Sequence, residues 1–168
     1  MRRKLRENRG VTLVEMLCCV LILILLGLML HTGIVMAAKS YRKMIAESET
    51  QLLLSTIVDA LADDLRYARE IVTEEEEDSE TGGKRLVSYN SDSYGLAARL
   101  EIDEEGQIAA GGRKLLPAGV YANGAYEVRG MEIFYDGTCF IMDLEAGEKD
   151  GVISAKTRIA VRCLNRKK

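Results

Sequence analysis

Hydrophobic and polar residues divide the chain into an apolar stretch, an amphipathic stretch and an alternating region. Residues 16–38 carry no charged side chain, and at about 1.5 Å per residue a helix of this length crosses the roughly 30 Å hydrocarbon core of a bilayer. Farther along, apolar residues recur every three or four positions, which is typical of a helix with one packed face. They are Leu54, Val58, Leu61, Leu65, Ala68 and Val72. The pattern predicts one long helix with a transmembrane segment at 11–38 and an amphipathic segment at 39–72.

An acidic segment and a sheet domain are predicted after this helix. For residues 73–84 we expect a solvated loop rather than a calcium site, because the oxygen ligands are not spaced as a defined cage requires. From residue 85 to residue 168 the apolar period changes to two, which indicates antiparallel strands. The predicted strands are 85–90, 96–102, 130–135, 138–144 and 156–164. The predicted fold class is therefore α+β, with the long helix packed on a small C-terminal antiparallel sheet.

The clearest predicted hairpin is MEIFYDGTCFIM, residues 131–142. A two-residue turn at Asp136 and Gly137 would place Ile133 opposite Phe140. In the last strand the same alternation turns Cys163 inward, whereas Cys139 points to the other face of its strand. Only a bulge or a register slip would change that placement.

Charge at the ends of the apolar stretch predicts its orientation. The leader, residues 1–10, contains one acid and five basic residues, Arg2, Arg3, Lys4, Arg6 and Arg9. Because basic residues are retained on the cytoplasmic side, we expect a cytoplasmic amino terminus and an exported body. Without the leader the remainder is more acidic than the whole chain, whose formal charge is −3. An acidic body argues against nucleic acid as a partner.

Glu15 interrupts the start of the apolar helix. A carboxylate costs about 2.5 to 3.5 kcal/mol at the centre of a membrane helix and less near its edge, so it calls for a partner. Two simpler interpretations give Glu15 no partner. One is an ordinary signal peptide, cut after small residues such as Val35 and Ala37, and the other is a plain single-pass anchor. Cleavage between Gly10 and Val11 would create a cationic amine four residues before Glu15, on the same helical face.

The basic leader, Gly10 and the sequence VTLVEML resemble the type IV prepilin signal, which pilins, type II secretion pseudopilins and competence pseudopilins share. In that family a membrane aspartic peptidase cuts after the glycine and methylates the new amine. The resemblance implies that Gly10 precedes the cleaved bond, that Val11 is N-methylated, and that Glu15 pairs with a subunit's amine during assembly. Val11 departs from the phenylalanine that is common at its position.

The stretch LLLSTIVDALADDLRYAREI resembles the region after the anchor in J-type pseudopilins and W-type minor pilins. The matching residues are Asp64, Leu65, Arg66, Ala68 and Ile71. The resemblance implies a minor subunit whose partners are a prepilin peptidase, other pilin subunits, the inner-membrane assembly platform and the lipid bilayer. Adhesion, secretion, motility and DNA uptake all stay open. It also suggests a disulfide between Cys139 and Cys163, which the strand pattern disfavours.

Catalysis is not expected. The only histidine, His31, lies in the apolar stretch, so the body has no Ser/His or Cys/His arrangement and no His/Cys cluster for a metal. We expect no cofactor. The rival interpretation is a single-pass membrane-anchored extracellular binding module with a prepilin-like anchor. Neighbouring genes for a prepilin peptidase and an assembly ATPase would favour the filament subunit.

Overall fold

The computed structural model describes residues 12–77 and 82–165. The chain divides into an N-terminal unit that ends at Arg42 and a body that begins at Lys43. A single helix, α1, runs from Leu13 to Arg66. Within the body, this helix packs against an antiparallel sheet, which confirms the predicted α+β class.

The body portion of α1 buries most of the predicted apolar stripe. Leu61 and Leu65 are fully buried, and Leu54 and Val58 are nearly so. Thr50 is also buried completely, and its hydroxyl donates a hydrogen bond to the carbonyl of Ala46 at 2.7 Å. Because that bond satisfies the hydroxyl, the helix face carries a polar residue without an unpaired group.

The helix ends earlier than the predicted end at Val72. The N–H of Ala68 donates to the Leu65 carbonyl at 3.2 Å, a three-residue spacing that tightens the last turn. Glu70 then has a φ of +47°, which a right-handed helix does not accommodate. The helical spacing predicted that both Ala68 and Val72 are buried. Ala68 is buried, but the prediction is wrong for Val72, which is 52% exposed.

Nine strands follow α1 in the described part of the chain, and every pairing between them is antiparallel. The main sheet has the order β1-β2-β7-β8-β9, β3 pairs with β2, and β4 to β6 form a separate small sheet. The bounds are β1 Arg69–Glu77, β2 Lys84–Ser91, β3 Gly95–Ala98, β4 Leu100–Ile102, β5 Ile108–Ala110, β6 Arg113–Lys114, β7 Tyr126–Tyr135, β8 Cys139–Glu148 and β9 Ser154–Arg162, with a 3₁₀ helix at Ala118–Gly124.

Two predicted boundaries are corrected by these strands. Residues 73–84 are not a single acidic loop, because β1 continues to Glu77 and β2 begins at Lys84; residues 78–81 lie outside the described part. The sheet starts at Arg69 rather than at residue 85. Isoleucine and valine at positions 71 and 72 give β1 strand propensity, although the run of glutamates after them argued for a loop.

The β7–β8 hairpin is present, but its register differs from the predicted one. Ile133 lies opposite Met142 rather than Phe140. The shift amounts to two positions along one strand, and an even shift leaves each side chain on its original face. Ile133, Phe140 and Met142 are accordingly all buried, as the alternation predicted.

The register changes because the turn sits one residue later than predicted. The N–H of Asp136 donates to the Cys139 carbonyl at 3.1 Å, so Gly137 and Thr138 are the central residues. The Asp136 carboxylate accepts the N–H groups of Thr138 and Cys139 at 2.7 and 2.6 Å. These bonds hold the turn, and Gly137 supplies the positive φ, +90°, at its first central position.

Replacing Gly137 with alanine is expected to lower the free energy of unfolding by about 1 kcal/mol, because a Cβ disfavours positive φ even in open space. Gly119→Ala is the matched control, since a Cβ added at either glycine would meet no atom within 4 Å and only Gly137 has a positive φ. Urea unfolding of the full chain in detergent measures both. Equal effects of the two substitutions would contradict the assignment of the turn.

Candidate functional site

The start of α1 is built around Thr12 and Glu15. The N–H of Glu15 donates to the Thr12 hydroxyl at 3.2 Å, and the N–H of Met16 donates to the Thr12 carbonyl at 3.1 Å. Thr12 is therefore the N-cap, and its hydroxyl caps the N–H of Glu15 at the third helical position. An acid in the first turn is also favoured by the helix dipole. The sequence carried this signal in the letters TLVE.

Gly10 and Val11, the residues at the predicted cleavage point, lie outside the described residues. The described chain begins at Thr12, so the N-cap directly follows the residue that cleavage would make the first. Glu15 itself is exposed. Along the sequence this carboxylate stands four residues after the predicted new amine, and no proline or glycine lies between them.

Apolar side chains cover the first part of α1 and are open to the surroundings. Leu13 is 83% exposed, Ile24 58% and Met36 73%. By length and composition α1 is the one helix in the described part that can cross a membrane, and it lies near the N-terminus. Exposed apolar surface of this extent requires lipid or other protein to cover it.

The residues that carry the resemblance to minor pilins run from the last turn of α1 into β1, and two of them join the helix to the sheet. The Asp64 carboxylate accepts hydrogen bonds from the hydroxyls of Tyr89 and Ser91, both at 2.5 Å. The Arg66 carbonyl accepts the N–H of Leu164 at 2.8 Å. Asp64 therefore ties the helix to β2, and Arg66 ties it to the C-terminal segment that follows β9.

Asp64 also changes the acidity of its partner. Burial, then the hydrogen bond to Asp64 and its negative charge, raise the pKa of the Tyr89 hydroxyl well above its usual range. The hydroxyl of Tyr89 consequently keeps its proton and donates it in the hydrogen bond to the carboxylate. The bond stabilises the contact between α1 and β2, and it is not suited to acid–base chemistry, because a hydroxyl that stays protonated transfers no proton near neutral pH.

Tyr126 gives the body a dependence on alkaline pH. Burial, followed by the hydrogen bond and charge of Glu49 and the charge of Glu148, raises the pKa of Tyr126 to about 12. An unfolded tyrosine loses its proton near pH 10. The stabilising contribution of Tyr126 is therefore complete below about pH 10 and is lost as the pH rises towards 12.

We expect the free energy of unfolding to fall between pH 10 and pH 12 by about 1 kcal/mol more in the natural chain than in Tyr126→Phe. Urea unfolding of the full chain in detergent at several pH values, followed by far-ultraviolet circular dichroism, measures the difference. Identical pH dependence in the two proteins would show that Tyr126 keeps an ordinary pKa.

Cys139 and Cys163 are both free thiols. Cys163 is buried and its Sγ lies 3.7 Å from the carbonyl oxygen of Ala68, whereas Cys139 is half-buried. Cys139 lies opposite Arg162 in the β8–β9 ladder. The two cysteines therefore have the separate surroundings that the strand alternation predicted.

No cluster of three or more histidine, cysteine or acidic side chains in the described part is arranged to hold a metal ion. Comparisons with protein-family models, with curated proteins and with solved structures find no match to the chain. The functional assignment accordingly depends on the residues around the start of α1.

Proposed function

We propose that this chain is a structural, minor subunit of a type IV pilus or a related pseudopilus, processed by a prepilin peptidase and assembled through its N-terminal helix. The observation that carries the proposal is the position of Glu15. It lies in the first turn of a helix whose following residues are apolar and exposed, four residues after the predicted first residue, Val11. An α+β body with the helix packed on its sheet is what the resemblance implies for the exported domain.

In this proposal Gly10 is the last residue of the leader, and the peptidase frees and N-methylates Val11. The amino terminus stays cytoplasmic and the body is exported, since the positive charge of the leader is retained inside. The apolar helix stays inserted in the bilayer until assembly. Glu15 then pairs with an amine as helices pack into the filament, at the inner-membrane assembly platform and beside other subunits.

Intact-mass analysis of the full chain, expressed with and without a prepilin peptidase, tests the proposal. We expect the peptidase to remove residues 1–10 and to add one methyl group. Gly10→Ala should leave the chain uncleaved. Gly27→Ala is the control, because Gly27 lies within α1 with open space around it, far from the predicted cleavage point, and its replacement should not affect cleavage.

An uncleaved natural chain, or one cut near Ala37, would overturn the proposal. The second candidate function, a membrane-anchored binding module, would then take first place. Its support is the same exposed apolar helix, which by itself predicts only an anchor. A chain that is cleaved after Gly10 but never enters a filament would also favour it.

A further inference from the structure

Two contacts identify the end of the body at which the chain enters it. Tyr126, the first residue of β7, donates a hydrogen bond to the Glu49 carboxylate of α1. In the β7–β8 ladder Tyr126 lies opposite Glu148, the last residue of β8. The turn from β8 to β9 therefore lies at the end of the body near Glu49, whereas α1 ends at Arg66 beside the segment that follows β9.

The covalent chain keeps this end of the body close to a membrane. The body begins at Lys43, and only residues 39–42 separate it from the uncharged stretch that ends at Ala38. Even when fully extended, four residues reach about 14 Å. The part of the body that contains its first residues is therefore held near the surface of any bilayer that the uncharged stretch enters.

The same end of the body has few charges. Residues 117–125 carry no charged side chain, and neither do residues 151–153. The N–H of Lys149 donates to the Ala125 carbonyl at 2.9 Å, which brings the two segments together. We call residues 117–125 and 151–153 the end surface. Its exposed members are Pro117, Ala118, Gly119, Ala122, Asn123 and Val152. In a chain of which 29% of the residues are charged, this surface is a distinct region of small and apolar side chains.

Val152 lies at the tip of a turn that is held in place by hydrogen bonds. A single exposed valine is ordinary in a soluble protein, but this one is 98% exposed and its backbone is fixed. Arg129 donates to the carbonyls of Glu148 and Gly151 at 2.5 and 2.8 Å. The N–H of Gly151 also donates to the Glu148 carbonyl at 3.1 Å. Because the turn is already ordered, Val152 can be covered without the entropy loss that ordering a loop requires.

Basic residues next to the body indicate what covers this surface. Lys39, Arg42 and Lys43 are exposed and directly follow the uncharged stretch. Basic side chains beside a membrane segment are attracted to anionic lipid headgroups. Apolar side chains in the same region can enter the boundary between headgroups and acyl chains. The combination of an apolar surface, a basic flank and a short connection to the membrane segment fits lipid as the partner.

We propose that the end surface lies on the lipid headgroups of the bilayer that α1 enters, with the Val152 side chain inserted between them. The contact gives the body a second attachment to the membrane besides its helix. The inference goes beyond the proposed function, because it requires only that α1 spans a membrane, which the filament subunit and the binding module have in common.

Fluorescence quenching by lipid tests this contact in the full chain. The four natural cysteines are replaced by alanine, and Val152→Cys is labelled with nitrobenzoxadiazole. The chain is reconstituted in vesicles of phosphatidylcholine and phosphatidylglycerol in which part of the headgroups carry a nitroxide. We expect strong quenching of the label and a shift of its emission to shorter wavelength. Leu96→Cys is the matched control, because Leu96 is 84% exposed and follows Gly95, which pairs with Ser91 near the end of α1.

Quenching at Val152 that is no stronger than at Leu96 would overturn the inference. An emission shift that disappears when the protein is diluted with lipid would also overturn it, since the end surface would then contact a second copy. A label on Leu28→Cys, which is 59% exposed in the apolar stretch, reports membrane insertion of α1. A shifted label at Leu28 with an unshifted label at Val152 refutes the contact of the body and leaves the proposed function standing. If neither label shifts, both proposals fail.

A substitution at Val152 distinguishes binding from proximity, with the label now on Ala118→Cys in the other part of the end surface. Because Val152 makes almost no contact with the body, Val152→Asp should leave the core intact. Inserting its carboxylate between headgroups is unfavourable, because the charge loses hydration. We expect Val152→Asp to reduce quenching of the Ala118 label to the level at Leu96, whereas Val152→Leu retains it. Equal quenching in the two variants would show that only the connection to α1 keeps this surface near the bilayer, and would refute the contact.

Discussion

Replacing Glu15 with alanine is expected to abolish filament assembly while leaving cleavage after Gly10 intact. In the proposed mechanism the Glu15 carboxylate neutralises the amine of Val11 inside a low-dielectric helix bundle. Removing one partner of a buried ion pair costs about 3 to 5 kcal/mol, because the other charge stays unpaired. Since about 1.4 kcal/mol is a tenfold change in an equilibrium, assembly should fall on the order of 100-fold or more, measured as the subunit recovered in sheared filaments.

Two further variants separate assembly from helix stability. Thr12→Ala removes the hydroxyl that accepts the Glu15 N–H, and loss of such a cap costs about 1 kcal/mol. It should weaken assembly far less than Glu15→Ala. Glu47→Ala, which removes an exposed acid from the same helix and its 3.7 Å contact with Lys43, should have no effect. Equal losses in Thr12→Ala and Glu15→Ala would mean that the Glu15 carboxylate acts only by stabilising the first turn of α1.

Sequence periodicity predicted the layers of the body because burial repeats regularly along α1 and along the strands. Leu61 and Leu65 are buried at helical spacing, and Phe140 and Met142 at strand spacing. Periodicity did not predict where elements begin and end. The end of α1 depends on Glu70, whose positive φ no pattern of polar and apolar letters records.

Contacts between distant segments could not be predicted from the sequence for a different reason. Asp64 was singled out only as part of a weak resemblance, whereas its two partners, Tyr89 and Ser91, lie more than twenty residues away. The turn at Gly137 and Thr138 was misplaced by one residue because the Asp136 carboxylate binds the turn's own N–H groups. Local chemistry of this kind competes with the turn that the residue pair Asp-Gly favours by itself.

At the start of α1 the local sequence is informative, and it is compatible with two roles. TLVE fits a helix N-cap at Thr12, and the acid four residues after Val11 fits an assembly carboxylate. The two roles are compatible, since a cap uses the N–H of Glu15 and leaves its carboxylate available for an amine. The structure supplies the first role directly through the Thr12 hydroxyl.

Asp64→Ala is expected to lower the free energy of unfolding of the body by about 3 kcal/mol. It removes the acceptor from two buried hydroxyls, and hydrogen bonds to charged groups are worth about 1.5 to 3 kcal/mol each. Tyr89 is 1% exposed and Ser91 8% exposed, so water does not readily replace the carboxylate. Asp63→Ala is the matched control. Its carboxylate is 80% exposed and lies 3.5 Å from Arg66, so its loss should change stability by less than about 1 kcal/mol.

A double-mutant cycle with Tyr89→Phe separates the hydrogen bond from the helix position. Because Tyr89→Phe removes the donor that Asp64→Ala would leave unpaired, the double variant should be less destabilised than the sum of the single variants. Urea unfolding of the full chain in detergent, followed by near-ultraviolet circular dichroism of the tyrosines, measures each corner of the cycle. Additive effects would show that Asp64 stabilises the body without help from its bond to Tyr89, whereas coupling would establish that bond as one of the links between α1 and β2.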